Sequence, residues 1–176
     1  MSSLFSFIVS AAIFGIIVAI GCLVLSVKYK RRAVRDVQKL CQGISAFFKE
    51  YGRYPIVDAE SDEQLGGSVM KVLCGSHWIT GEAIHENIGK LNPKLINFVE
   101  CFVGRKTVND MVTDPWDEPY NIAFDTNRDG ITEIVLEYAG EKTVKRIKAP
   151  FVVWCDGPNR KNELGSGDDI ASWNMQ

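Results

Sequence analysis

Residues 4–27 form one apolar run, polar only at Ser6, Ser10 and Ser26, and residues 1–27 carry no charged side chain. Nothing else in the 176-residue chain restricts its fold as strongly. A helix of about 20 apolar residues satisfies its backbone internally and reaches across the hydrocarbon of a bilayer. A cleaved secretory signal has a shorter apolar core, about 7–15 residues, behind a basic start. Here nothing basic precedes the run and no clear Ala-x-Ala site follows it. The run predicts a retained transmembrane helix over 1–27, with a cleaved signal as the alternative.

The helical pattern continues over 28–55. Between residues 29 and 51 there is no Pro and one Gly, Gly43. Val34, Val37, Leu40, Cys41, Ile44, Phe47, Phe48 and Tyr51 recur in steps of three, one and three, which is one face of an α-helix. Arg35, Asp36, Gln38, Lys39, Gln42 and Lys49 fall on the opposite face. At 1.5 Å per residue, a helix from about residue 3 to 51 is a rod roughly 70 Å long. Gly52 is placed to end it and Pro55 to keep it from resuming. The apolar stripe of this second half requires a partner within the chain.

Charge is distributed unevenly. Residues 28–53 hold eight Lys/Arg against two acids, Asp36 and Glu50, whereas residues 54–176 hold twelve against twenty. An acidic head excludes a nucleic-acid partner, which requires a basic footprint. Basic residues beside an apolar run suit a membrane surface.

The remainder, 56–176, reads as a small head. Residues 64–74 carry Leu65, Val69, Val72 and Leu73 at short-helix spacing, and Leu95, Ile96, Phe98, Val99 and Phe102 mark another apolar turn. Four β-prone stretches follow, at 120–124, 131–138, 143–148 and 151–154, separated by Gly, Asn and Pro turns. Short strands so spaced form an antiparallel meander. A helix stripe packed on one face of that sheet makes an α+β fold. His77 and His85 have no metal-ligand spacing, and they read as ordinary histidines. Cys22 lies in the apolar run, so Cys41, Cys74, Cys101 and Cys155 form either two disulfides, in any of three pairings, or buried free thiols.

Signatures of catalysis are missing. There is no Gly-x-Ser-x-Gly, no His-Glu-x-x-His, no phosphate-binding Gly loop and no small-molecule site pattern. Asp114, Asp117, Glu118, Asp168 and Asp169 are explained by turns and ion binding more simply than by a catalytic carboxylate pair. One calcium-type pattern is read from residues directly: Asp125, Asn127, Asp129 and Gly130 fit positions 1, 3, 5 and 6 of an EF-hand loop. Position 12 is Leu136, not a bidentate Glu, and a tight Asx turn between two strands explains the same residues.

Three phrases together carry a resemblance. Residues 44–55, Ile-Ser-Ala-Phe-Phe-Lys-Glu-Tyr-Gly-Arg-Tyr-Pro, close the long helix. Residues 114–120, Asp-Pro-Trp-Asp-Glu-Pro-Tyr, lead into the first strand. Gly157-Pro158-Asn159, followed by Asp168-Asp169-Ile170-Ala171-Ser172-Trp173, closes the chain. In this order, behind an apolar N-terminal helix, they resemble the type IV pilin and type II secretion major pseudopilin (G-type) family. In that family the second phrase runs Asp-Pro-Trp-Gly-x-Pro-Tyr. The family's basic leader, its Gly cleavage site and the Glu that follows are not matched, so the resemblance is to an atypical member. The resemblance implies a pilin-like fold and a membrane-anchored, non-enzymatic structural subunit. Such a subunit packs its N-terminal helix against other pilin-like subunits and sits in a bacterial inner membrane. It also implies calcium in the closing loop, held by Asn159, Asp168 and Asp169, with a backbone carbonyl near Asp156. The basic cluster Lys28, Lys30, Arg31, Arg32 and Arg35 would keep the head cytoplasmic by the positive-inside rule, whereas the resemblance places it in the periplasm or extracellular space, the expectation adopted. The alternative is a single-pass anchored adhesion or scaffold protein that borrows the pilin-like head and does not polymerise.

Overall fold

The computed structural model describes residues 2–56, 67–75, 86–102, 107–108, 111–138 and 141–175, with side chains described from Phe14 onward except at 86–88, 101, 107–108 and 137–138. Helix α1 runs unbroken over Ser2–Tyr51. Gly52 stops it in the left-handed region (φ 66°), with its N–H donated back to the Phe48 carbonyl at 2.7 Å. A glycine adopts that conformation without a Cβ penalty, so the predicted terminus and its cause coincide. Helices α2 (Gly67–Cys74) and α3 (Glu86–Leu91) follow, then a 3-10 turn at Glu100–Phe102. Among the described residues seven strands follow: β1 (Thr107–Val108), β2 (Met111–Val112), β3 (Asn121–Phe124), β4 (Thr132–Tyr138), β5 (Glu141–Ile147), β6 (Phe151–Cys155) and β7 (Ile170–Ala171). A further 3-10 turn, Ser172–Asn174, lies beyond them.

The fold is α+β with antiparallel sheets, as the sequence predicts, but the strands do not form one meander. Among the described residues β3, β6 and β7 hydrogen-bond in that order, β4 and β5 pair only with each other, and β1 pairs with β2. The reason is side-chain alternation on a sheet buried on both faces. Ile122, Phe124, Phe151, Val153, Cys155 and Ile170 join the cluster against α1. Ala123, Val152, Trp154 and Ala171 join a second cluster with Ile134 and Leu136 of β4 and Ile147 of β5. The three-stranded sheet is therefore the middle layer, between α1 and a stacked hairpin. The hairpin's apolar residues meet a face of that sheet and not its edge.

The α1 stripe packs as predicted at Val37, Leu40, Ile44 and Phe47, all with no exposed surface. Burial of each such side chain stabilises the head by about 1.5–3 kcal/mol. Two positions differ. Phe48, expected in the stripe, is 41% exposed and stacks on Tyr54 with ring centroids 4.8 Å apart. Asp36, expected on the polar face, is 3% exposed. It accepts a hydrogen bond from the Tyr120 hydroxyl at 3.0 Å and lies 3.8 Å from Arg32 one turn earlier. Buried Asn92 ties the head's helical pieces together. Its Nδ2 donates to the carbonyls of Val72 and Ile96, and its Oδ1 accepts from the Ile96 N–H and the Tyr51 hydroxyl.

Cys41, Cys74 and Cys155 are in no disulfide, so the two-disulfide framework does not form. The Cys101 side chain, and both His77 and His85, lie outside the described residues. Burial pushes the Cys41 thiol up to about 11, opposed in part by a hydrogen bond with Ser172. Among the described residues, no helix is long and apolar enough to cross a membrane. The side chains of 2–13, which include the first part of the 4–27 run, are outside that set.

Candidate functional site

The loop between β6 and β7 is built from tight left-handed turns, with positive φ at Gly157, Arg160, Leu164, Gly165 and Gly167. At Gly165 a Cβ would lie 2.1 Å from Cζ2 of Trp173, so no larger residue fits. Buried Leu164 anchors the loop in the second cluster. Polar ties hold the rest. Lys145 Nζ donates to the Leu164 carbonyl at 2.6 Å, and the Asn162 Oδ1 accepts from Leu164 N–H at 3.0 Å and Trp154 Nε1 at 3.2 Å.

These turns gather Glu163, Asp168 and Asp169, each offering one carboxylate oxygen within 4.8 Å of the others. Asp169 Oδ2 accepts the N–H groups of Glu163 (2.9 Å) and Gly165 (2.8 Å), and Asp168 Oδ2 accepts that of Asn159 at 3.0 Å. The second oxygens, Asp168 Oδ1 and Asp169 Oδ1, are buried with no hydrogen-bond partner. Burial raises the Asp169 carboxyl above the ordinary carboxylate range, the Gly165 and Glu163 amides oppose this, and the charges of Glu163 and Asp168 add to it. Buried acceptors without donors are costly. Three carboxylates with two orphaned oxygens are an all-oxygen donor set, which fits a hard cation such as calcium and not a soft-ligand metal.

The structure brings together only part of the predicted ligand set. Asp168 and Asp169 are in the cluster. Asn159 is adjacent, but its Nδ2 faces Glu163 Oε2 at 3.3 Å and its Oδ1 accepts the Lys161 N–H at 2.7 Å. Near Asp156 the expected ligand is a backbone carbonyl and not the side chain; the Asp156 carboxylate itself turns to the sheet, where Oδ1 accepts from Asn121 Nδ2 at 2.8 Å. Burial pushes Asp156 up to about 6; Asp169, Asp114 and Glu118 add to the shift and the Asn121 bond opposes it. Glu163 escaped the sequence reading, since no recognised spacing links it to 168 and 169. At the second predicted loop, Asp125 accepts the N–H groups of Asp129 (3.2 Å) and Gly130 (2.7 Å), and Asp129 Oδ1 accepts that of Ile131 at 2.8 Å. This is the Asx-turn arrangement.

A second acidic feature lies at the base of the head. Asp114 is 3% exposed; its Oδ1 accepts the N–H groups of Trp116 (2.8 Å) and Glu118 (3.0 Å), and its Oδ2 is buried without a partner. Burial pushes it up to about 6, the Glu118 and Trp116 amides oppose this most, and the Glu118 charge adds to it. The same turn sets Trp116 edge-on to Tyr29 of α1, ring centroids 6.4 Å apart. From Tyr29 back to Phe14, α1 is bare: Phe14, Ile17, Leu23 and Val24 are 61–69% exposed. Comparison of the chain with family models, curated proteins and solved structures returns no match.

Proposed function

We propose that this chain is a membrane-anchored, pilin-like structural subunit with no enzymatic role, of the kind that builds a pilus or a type II secretion pseudopilus. One observation carries the reading: a single continuous helix has one face of its C-terminal half buried in an acidic α+β head and its apolar segment uncovered from Phe14 to Val27. An uncovered apolar helix requires lipid or other helices around it. In this reading the residue 4–27 run holds the subunit in the bilayer, and assembly exchanges lipid for neighbouring α1 helices. A cation at Glu163, Asp168 and Asp169 would neutralise the closing loop and stiffen the head without taking part in any reaction.

The test is membrane fractionation of the full chain, followed by protease treatment of intact spheroplasts and cross-linking between α1 helices. Digestion of the head in intact spheroplasts, with α1–α1 cross-links in a filament fraction, is the expected outcome. A head exposed on a permanently monomeric anchor would point instead to a non-polymerising adhesion or scaffold protein. A head protected until lysis would place it in the cytoplasm and end the secretion reading.

A further inference from the structure

Where the bare half of α1 meets the head, one helix face changes from apolar to basic within about two turns. Leu23, Val24 and Val27 line one end of this open α1 surface and Lys30, Arg31 and Arg35 the other, with Lys28 beside Val27 and Val34 among the cations. All of these except half-buried Val34 are exposed. Lys30, Arg31 and Arg35 have no ion-pair partner among the described residues. The nearest acid on the helix, Asp36, is buried, close to Arg32 and bonded to Tyr120. At the same level, on the head side of the helix, Tyr29 and Trp116 form their edge-on pair.

We infer that this surface seats an anionic phospholipid, one acyl chain along Leu23, Val24 and Val27 and the phosphate among Lys30, Arg31 and Arg35. The inference rests on the membrane-anchored reading above. Arginine forks match phosphate geometry, and cations next to a spanning segment favour anionic headgroups. An amphipathic aromatic pair at the same height belongs at the bilayer interface. The base of the head, through the 114–119 turn, then rests on the headgroup layer. An acidic surface of a second copy is the competing occupant. It would pair the cations through acidic side chains but needs a neighbouring helix as well to cover Leu23, Val24 and Val27, whereas one phospholipid matches both ends at once.

The full chain is reconstituted in nanodiscs of mixed phosphatidylcholine and phosphatidylglycerol, and retained lipid is counted by native mass spectrometry. Wild type is expected to retain phosphatidylglycerol preferentially. In Lys30→Gln, Arg31→Gln and Arg35→Gln variants that preference falls about fivefold for each cation removed, with insertion unchanged. Equal retention of the two lipids by wild type overturns the proposal, as does an undiminished preference in the triple variant. Loss of copy-to-copy cross-linking in the triple variant, with lipid retention unaltered, assigns the surface to a second copy and also overturns it. Failure of wild type to enter the bilayer refutes the anchored reading itself, and the lipid assignment with it.

Discussion

The Tyr120 hydroxyl donates to Asp36 Oδ2 at 3.0 Å across 84 positions of sequence, joining the approach to β3 to the middle of α1. Both residues are buried. Tyr120→Phe removes the donor and leaves a buried carboxylate oxygen short of one bond. The expected loss is about 1–3 kcal/mol of head stability, read from urea unfolding in detergent. An unchanged midpoint would show that the bond contributes nothing net.

Phe47 has no exposed surface and sits against Tyr51 and Phe98, with ring centroids 4.8 Å and 5.3 Å away. Phe47→Ala opens a cavity under the C-terminal end of α1, inside the head, at a cost of about 3–5 kcal/mol. The exposed Phe48→Ala is expected to cost less than half as much. Equal losses would show that the stripe is misassigned.

Calcium is expected to raise the melting temperature of the head, and chelator to reverse the rise. Glu163→Gln and Asp168→Asn should each abolish the calcium-dependent increment, because each removes a charge from the cluster. Asn159→Ala should reduce it less, since the Asn159 side-chain oxygen is occupied by the Lys161 N–H. A full increment in Glu163→Gln would exclude that carboxylate from any cation site.

Asp114 carries a folded-state pKa of about 6, raised chiefly by burial. A raised carboxyl binds its proton more tightly when folded, so stability falls as pH rises from the ordinary carboxylate value toward about 6. With chelator present, the head should therefore be more stable near pH 5 than at pH 7. Asp114→Asn should weaken that dependence without abolishing it, since the amide cannot ionise while its oxygen still accepts from Trp116 and Glu118, and Asp156, also raised to about 6, still titrates. A pH profile identical to wild type would mean that Asp114 is not the group responsible.

The sequence by itself determined the long helix and its end. Hydrophobic period, the lack of Pro and the position of Gly52 are local causes, and local causes act wherever the chain lies. It also determined the α+β class and the presence of short antiparallel strands. Tertiary structure alone decided that the β4–β5 hairpin stacks on the β3–β6–β7 sheet, because alternation shows that a strand buries one face and not which surface covers it. It alone decided that Asp36 points inward, since a helical period places a side chain on a face but cannot reveal a Tyr120 hydroxyl waiting there. The closing loop divides in the same way. Asp168 and Asp169 were legible as an acidic pair, whereas Glu163 reaches them only through the left-handed turns at Leu164, Gly165 and Gly167, a backbone path that residue spacing does not encode.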